Sequence, residues 1–238
     1  MAVINTTFGF VFVHVPKSAG TSVTWALSKL CTVLDLEIGG SAFGESIQSA
    51  YRERHGISKH SSAHELRGLL GEQAWVKYVS FGVVRHPLAR LASAFRFLRQ
   101  WDSPSNRAHE GMSRFGTFAD FVASDVWIRD DGPDRMFRPQ SFWLADRASD
   151  RLLVDRFLHV ESLDAGLRQL LLDVGVPRTK VPEKLPQLNA TRRGQTAYAL
   201  SEDLMSKVEE RYRVDLRMFG YNMPPAKGED ATGNVVAA

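Results

Sequence analysis

The chain has 238 residues, of which 44% are hydrophobic and 24% are charged, and its formal net charge is +3. These values fit one globular domain with a single core, and so small a net charge argues against general nucleic-acid binding. The single cysteine excludes an internal disulfide, and neither a signal peptide nor an apolar run of about 18 residues is visible, so we expect a cytoplasmic protein without a membrane anchor.

A strand, a loop and a helix follow one another near the start of the chain. Residues 8–15 are mostly aromatic or β-branched, which predicts a buried strand of a parallel sheet, and Pro16 ends that run. The next residues are Lys17 and several small or hydroxyl residues, and helical spacing begins at about Ser22. Backbone N–H groups, a helix N-terminus and a lysine around one point favour the binding of a phosphate or sulfate group.

This loop departs from the Walker pattern of ATP-binding proteins. That pattern places a lysine and a Ser or Thr directly after its second glycine. Here Lys17 comes before Gly20, and Thr21 and Ser22 follow it, so no residue is obviously placed for Mg²⁺. The run Val-Pro-Lys-Ser-Ala-Gly-Thr-Ser instead resembles the 5′-phosphosulfate loop of sulfotransferases that use 3′-phosphoadenosine-5′-phosphosulfate (PAPS). The alternative is an ordinary turn that binds no ligand.

A second junction of the same type follows. Residues 75–84 predict another apolar strand, and Pro87 fits the first position of a helix. Arg85 therefore lies at the carboxyl end of a strand, where open α/β sheets bind ligands. The run Val-Val-Arg-His-Pro-Leu-Ala-Arg-Leu-Ala-Ser-Ala-Phe resembles the 3′-phosphate-binding segment of sulfotransferases. Arg85 and Ser93 match its two phosphate ligands, whereas His86 stands where the family commonly has Asp or Asn.

A third segment, residues 189–194, is a basic loop. It resembles the late loop that closes over the adenosine and the 3′-phosphate in sulfotransferases, and this resemblance implies roles for Arg192, Arg193 and Gly194. The alternative is a solvated basic loop.

The region between the first two junctions supplies the candidate bases. Residues 35–59 are predicted to form a loop-rich insertion, because glycines break the chain there. A capping box at Ser62 predicts that a helix starts there, which leaves His60 in the loop before it. His60 is either an exposed loop histidine or a general base. In the heparan-type branch of the family a histidine lies in this segment, which implies His60 as the base. The alternatives are Glu65, Glu37 and His64.

Aromatic residues in the second half raise the question of a sugar site. Residues 133–144 are predicted to form a helix, and Gln140-Ser-Phe-Trp143 resembles a Gln-x-x-Trp segment of bacterial carbohydrate-sulfotransferase-like proteins. Exposed aromatic and amide groups suit sugars, but large aromatics more often lie in cores. The candidates are Trp101, Trp127, Phe142 and Trp143.

The resemblance covers residues 8–222 and implies an α/β fold, with a three-layer α/β/α arrangement around a mainly parallel central sheet. We expect one domain over residues 1–223 and a disordered tail over 224–238. The implied activity is PAPS-dependent sulfuryl transfer, without a metal, to a hydroxyl or amine acceptor, either a small molecule or a glycan. Lys17 and His60 are the implied catalytic residues. The implied cofactor-binding residues are Lys17, Ser18, Ala19, Gly20, Thr21, Ser22, Arg85, Ser93, Arg192, Arg193 and Gly194.

Two other functions stay open at this point. A P-loop kinase shares the first strand, loop and helix, but this chain lacks the Gly-Lys-Ser/Thr order of such kinases, and ATP would leave the second phosphate site empty. A non-catalytic nucleotide-binding module would keep the fold and have no working base.

Overall fold

The computed structural model describes residues 1–100, 111–129, 135–186 and 200–224. Trp101, the late basic loop with Arg192, Arg193 and Gly194, and residues 225–238 lie outside the described residues. The chain divides into two compact units, the first formed by residues 1–85 and 140–186 and the second by the described residues between 86 and 139 and from 200 onward. The single domain and the disordered tail stay predictions.

The secondary structure consists of short strands and longer helices. The strands are β1 (Ala2–Asn5), β2 (Phe10–Val13), β3 (Leu36–Ile38), β4 (Val79–Val84) and β5 (Arg156–His159). The helices are α1 (Gly20–Ser28), α2 (Ala42–His55), α3 (Ala63–Leu70), α4 (Glu72–Trp75), α5 (Pro87–Gln100), α6 (Phe118–Ala123), α7 (Ser141–Leu144), α8 (Leu163–Asp173) and α9 (Glu202–Phe219). No helix of the described residues is long and apolar enough to cross a membrane.

The first unit contains a mixed sheet with the strand order β3-β1-β2-β4-β5. β4 pairs in parallel with β2 and β5, whereas β1 pairs antiparallel with β2 and β3. The prediction of an α/β fold is confirmed, but the mainly parallel sheet is only partly borne out. Residues 6–9 join β1 to β2, a connection too short for the crossover that a parallel pair requires.

The segment from residue 35 to residue 59 is more regular than the sequence predicted. It contains β3 and α2, so the expectation of a loop-rich insertion is wrong. Ser41 caps α2 by accepting a hydrogen bond from the Gly44 N–H at 3.0 Å, and Gly56 ends the helix with a φ of 69°. Both glycines before the cap, Gly39 and Gly40, have positive φ, so they turn the chain from β3 into the helix.

The core of the first unit lies between the sheet and two helices. α1 and α8 pack on one face of β2 and β4. Phe81 and Val83 point into this core, while Gly82 between them faces α7, since neighbouring residues of a strand point to opposite faces. A Cβ at Gly82 would lie 2.4 Å from Cδ2 of Leu144. Helices therefore cover both faces of β4, as the three-layer expectation requires.

The second unit is helical in the described residues, with α5, α6 and α9 around one apolar cluster. Trp127 and Tyr212 are fully buried in it. Arg90 is also buried, and its guanidinium donates to the carbonyl of Met136 at 3.0 Å and to that of Arg138, which offsets part of the cost of burying its charge. Trp127 is thus a core residue, not part of an exposed sugar cleft.

Helix boundaries follow the capping signals of the sequence. The predicted starts at Ser62 and Pro87 are confirmed. Thr117 and Ser201 likewise cap α6 and α9. The helix predicted over residues 133–144 is wrong in extent, because the described part of that stretch is α-helical only in α7, from Ser141 to Leu144.

Candidate functional site

The first strand-to-helix junction is built from backbone groups. β2 ends at Val13 and α1 begins at Gly20, and between them Lys17 (φ 66°) and Ala19 (φ 57°) adopt the left-handed conformation. Such angles are unfavourable for residues with a side chain and are concentrated at functional sites. Two left-handed residues within three positions make a sharply turned loop directly before the helix.

The start of α1 leaves backbone donors unused. The carbonyl of Ala19 accepts from the N–H groups of Ser22 at 3.1 Å and Val23 at 3.2 Å, and no side chain caps the helix. The N–H groups of Gly20 and Thr21 have no acceptor among the described residues, as helix geometry dictates for the first turn. With Lys17 half-buried beside them, these donors suit a phosphate or sulfate ligand.

The hydroxyl residues of the loop differ in their surroundings. Thr21 is exposed, Ser22 is buried, and Ser18 is 1% exposed. The hydroxyl of Ser18 donates to Oε1 of Gln140 at 3.2 Å. That side chain is therefore engaged inside the protein, whereas Thr21 faces outward at the helix start.

His14, which directly follows β2, was not among the predicted site residues. Its ring lies against Gly20, where an added Cβ would be 1.8 Å from Nε2. Nδ1 of His14 contacts the amino group of Met1, which also donates to the carbonyl of Lys59. The available sequence signal was its place at the carboxyl end of a strand, next to the anion-binding loop.

The ring of His60 packs against the ring of His14 in a tilted arrangement. The two ring centroids are 4.6 Å apart and the ring planes differ by 32°. Burial, followed by the charge of the Met1 amino group, lowers the pKa of both histidines well below the usual value, so both imidazoles are neutral near pH 7. Nδ1 of His60 is buried and has no hydrogen-bond partner in the described residues. The alternative of a solvent-exposed loop histidine is therefore wrong.

The other candidate bases either accept hydrogen bonds at helix starts or are exposed to solvent. One carboxylate oxygen of Glu65 accepts from the Ser62 N–H at 2.6 Å, which completes the capping box of α3. Glu37 accepts from the Ser41 N–H at 2.8 Å at the start of α2. His64 is exposed on α3. Of the four candidates, His60 is the one whose ring contacts the first junction, through His14.

The second strand end is held by a side-chain amide. Arg85 follows β4, and its N–H donates to Oε1 of Gln140 at 2.9 Å, while Nε2 of Gln140 donates to its carbonyl at 2.8 Å. Trp143, one helical turn after Gln140, donates from Nε1 to the carbonyl of His60 at 3.1 Å. Both side chains are fully buried, so the core interpretation holds for Trp143 and the amide of Gln140 does not face a sugar.

Ser93 and His86 belong to the second unit. Ser93 is half-buried on α5. Nε2 of His86 lies 2.9 Å from the carbonyl oxygen of Asn222, and its ring meets the ring of Tyr221 edge-on, with centroids 5.3 Å apart. This contact gives a local role to the residue at which the chain departs from the family pattern.

The donor set of the first unit suits an anion. Its candidate groups are backbone N–H groups, Lys17 and Arg85, which are donors or cations that match phosphate and sulfate oxygens. Within the described ranges no three His, Cys, Asp or Glu side chains are placed so that they could hold a metal ion.

Comparison with known proteins gives one match. The model of a protein family described as "Sulfotransferase family" matches residues 1–222. No curated protein and no solved structure shows significant similarity to the chain. The matched range covers most of the chain and includes both strand-to-helix junctions. The chain therefore belongs to the sulfotransferase family.

Proposed function

We propose that the chain transfers a sulfuryl group from PAPS to a hydroxyl of a carbohydrate or glycoconjugate. The observation that carries this proposal is the β2–α1 junction, in which two left-handed residues and the first turn of α1 direct unused N–H groups to one place. The carbohydrate class is supported by the sequence resemblance of residues 140–143 alone.

Lys17 and the first turn of α1 carry the transfer itself. When bound, PAPS supplies a sulfuryl group that is passed to the acceptor oxygen as its bond to the 5′-phosphate oxygen breaks. The N–H groups of Gly20 and Thr21 bind the 5′-phosphosulfate, and the ammonium group of Lys17 stabilises the negative charge that develops on the departing oxygen. The hydroxyls of Thr21 and Ser22 donate further hydrogen bonds.

His60 accepts the proton of the acceptor hydroxyl. A neutral imidazole is the form that a general base requires, and the lowered pKa of His60 keeps it neutral at physiological pH. The ring of His14, which packs against the His60 ring, holds it beside the first junction.

The sequence pattern supplies the other nucleotide contacts. Arg85 binds the 3′-phosphate, for which its planar guanidinium offers two parallel donors, and the pattern assigns Ser93 to the same phosphate. Arg192, Arg193 and Gly194, which lie outside the described residues, close over the nucleotide in this proposal.

A transfer assay tests the proposal. The purified protein is incubated with PAPS and a panel of mono- and oligosaccharides, and the products are examined by mass spectrometry for an added SO₃ unit and for released 3′,5′-bisphosphoadenosine. We expect both products with at least one sugar and neither with Lys17→Ala protein. Phosphorylation of an acceptor with ATP and Mg²⁺ in place of sulfation would contradict the proposal and favour a kinase.

The burial of the His60 Nδ1 favours a second candidate, a nucleotide-binding module without catalysis, because that ring nitrogen is not accessible to an acceptor hydroxyl. This candidate predicts tight binding of 3′,5′-bisphosphoadenosine together with no transfer to any acceptor. The proposed enzyme predicts both binding and transfer.

A further inference from the structure

Gln140 and Trp143 form a buried pair that connects three separate pieces of the candidate site. Gln140 directly precedes α7, and Trp143 lies within it, three residues later. Residues at this spacing lie on one side of a helical turn. Both side chains are completely buried, and the four-residue helix buries its apolar side against β4 through Leu144.

The amide of Gln140 holds the backbone of Arg85. It accepts from the Arg85 N–H at 2.9 Å and donates to the Arg85 carbonyl at 2.8 Å. The last register pair between β4 and β5 joins Val84 to His159, so Arg85 is the first residue beyond the sheet. The amide thus supplies the partners that a neighbouring strand would have given, and it fixes the point from which the guanidinium side chain departs.

The same oxygen of Gln140 also reaches the first junction. Oε1 accepts from the hydroxyl of Ser18 at 3.2 Å as well as from the Arg85 N–H. The opposite amide orientation would put an NH₂ group against that N–H, so the contacts define which end is the oxygen. One buried oxygen therefore fixes the separation between the anion-binding loop and Arg85.

Trp143 contacts a different part of the candidate site, the backbone of His60. Its Nε1–H donates to the carbonyl of His60 at 3.1 Å, which anchors the backbone of the residue whose ring packs against His14. The indole therefore positions the candidate base, and its single N–H donor is used in that hydrogen bond.

We propose that Gln140 and Trp143 are positioning residues with separate tasks, an inference that rests on the proposed function. Gln140 sets the spacing between the 5′-phosphosulfate loop and Arg85, and through it the selectivity for a nucleotide that carries phosphate at both its 3′ and 5′ positions. Trp143 sets the position of His60. Because each acts through another residue, its removal changes one property and spares the other.

Three variants of neighbouring residues separate these tasks. Gln140→Met keeps length and removes every hydrogen bond of the amide, and Trp143→Phe keeps an aromatic ring and removes the N–H donor. Leu144→Val is the matched control, since it weakens the packing of α7 on β4 and touches none of these hydrogen bonds. Thermal unfolding of each variant reports its stability.

The binding arm uses calorimetric titration with 3′,5′-bisphosphoadenosine and with adenosine 5′-phosphate. For Gln140→Met we expect the bisphosphate to bind at least about tenfold more weakly, and adenosine 5′-phosphate to change less than about threefold. Gln140→Glu, which keeps the oxygen that accepts from Ser18 and loses the donor to the Arg85 carbonyl, should lie between wild type and Gln140→Met. Trp143→Phe and Leu144→Val should keep the wild-type ratio of the two affinities.

The second arm follows the His60 ring by proton NMR, with His60→Gln used to assign its signal. We expect Trp143→Phe to shift that signal and its titration midpoint, and Leu144→Val to leave both unchanged. Equal weakening of both nucleotides in Gln140→Met, or changes in Leu144→Val as large as in the other two variants, would overturn the proposal. If wild-type protein does not prefer the bisphosphate, the proposed donor itself is wrong, and the positioning role falls with it.

Discussion

The two strand-to-helix junctions of this chain offer their binding groups in different ways. After β2, six residues (14–19) separate the strand from α1, two of them in the left-handed conformation, and the helix begins with unused N–H groups. After β4, only Arg85 and His86 precede α5, which begins at Pro87, and the backbone of Arg85 is already bonded to Gln140.

This difference assigns the chemical step to the first junction and the binding of a phosphate that does not react to the second. Backbone N–H groups at a helix start are fixed by the fold and need no reorganisation when charge develops, so they suit stabilisation of a departing phosphate oxygen. A single arginine side chain suits recognition of a phosphate that does not react. Changes at the first junction should therefore lower turnover, whereas changes at the second should lower nucleotide affinity.

The largest effect is expected for His60→Ala, which removes the ring that packs against His14 at the first junction. We expect kcat to fall by about 10²–10⁴ because the acceptor proton has no base, with nucleotide affinity nearly unchanged. Steady-state kinetics with the acceptor found in the sugar panel measures this. His55→Ala, at the exposed end of α2, is the control.

The pH profile sharpens the same prediction. Because burial lowers the pKa of His60, wild-type turnover should persist at pH values below about 6.5, where an ordinary imidazole is protonated. At still lower pH, where His60 is protonated, wild-type turnover should fall, and this fall should be absent in His60→Ala. Wild-type turnover in that variant would remove His60 from the mechanism.

Lys17→Ala should have the next largest effect. We expect kcat to fall by about 10²–10³, more than the fall in nucleotide affinity, since the ammonium group acts on charge that appears only during transfer. Lys29→Ala, at the residue that directly follows α1, is a matched control, because that exposed lysine lies over the ring of Trp25, with Nζ 3.1 Å from the ring centroid. If only the nucleotide affinity fell, Lys17 would act in binding alone, and the two junctions would not differ in the way proposed.

Gly20→Ala tests the close approach at the first junction. The new methyl group would lie 1.8 Å from Nε2 of His14, so the ring or the helix start must move, at a cost of about 1–3 kcal/mol in the free energy of unfolding. Gly68→Ala, where an added Cβ meets nothing within 4 Å, should stabilise α3 by up to about 1 kcal/mol. If Gly20→Ala and Gly68→Ala changed the free energy of unfolding equally in chemical denaturation, the His14 ring would not restrict the space at residue 20.

The smallest expected effect is on stability at mildly acidic pH. His14 and His60 have lowered pKa values in the folded state, so the unfolded chain binds protons more readily. The free energy of unfolding should keep its full value above about pH 6.5 and should decrease as the pH drops below that value. Charged groups near the pair are the Met1 amino group, Lys59 and Lys17, and all of them oppose protonation. A melting temperature unchanged between pH 7 and pH 5 would contradict this.

Local signals predicted the parts of the fold that local forces determine. The capping box at Ser62 and Pro87 at the start of α5 were both readable, because each involves residues within one helical turn. Both junctions were readable for the same reason, since an apolar strand, a break and a helical pattern follow directly in the chain.

Features that depend on distant contacts were missed. β1 and β3 have four and three residues, too few for a periodic pattern, and their antiparallel pairing made the sheet mixed. Ser18 and Gln140 are 122 positions apart, so no spacing rule connects them. His14 was hidden because its neighbours His60 and Gly20 reach it only through the folded loop.

Calorimetric titration with 3′,5′-bisphosphoadenosine, compared with ADP and Mg²⁺, decides whether the chain binds the nucleotide of a sulfotransferase. We expect tight binding of the bisphosphate, weak binding of ADP, and a loss of at least about tenfold in bisphosphate affinity in Arg85→Ala. Preference for ADP with Mg²⁺, or bisphosphate binding that Arg85→Ala leaves unchanged, would contradict this expectation.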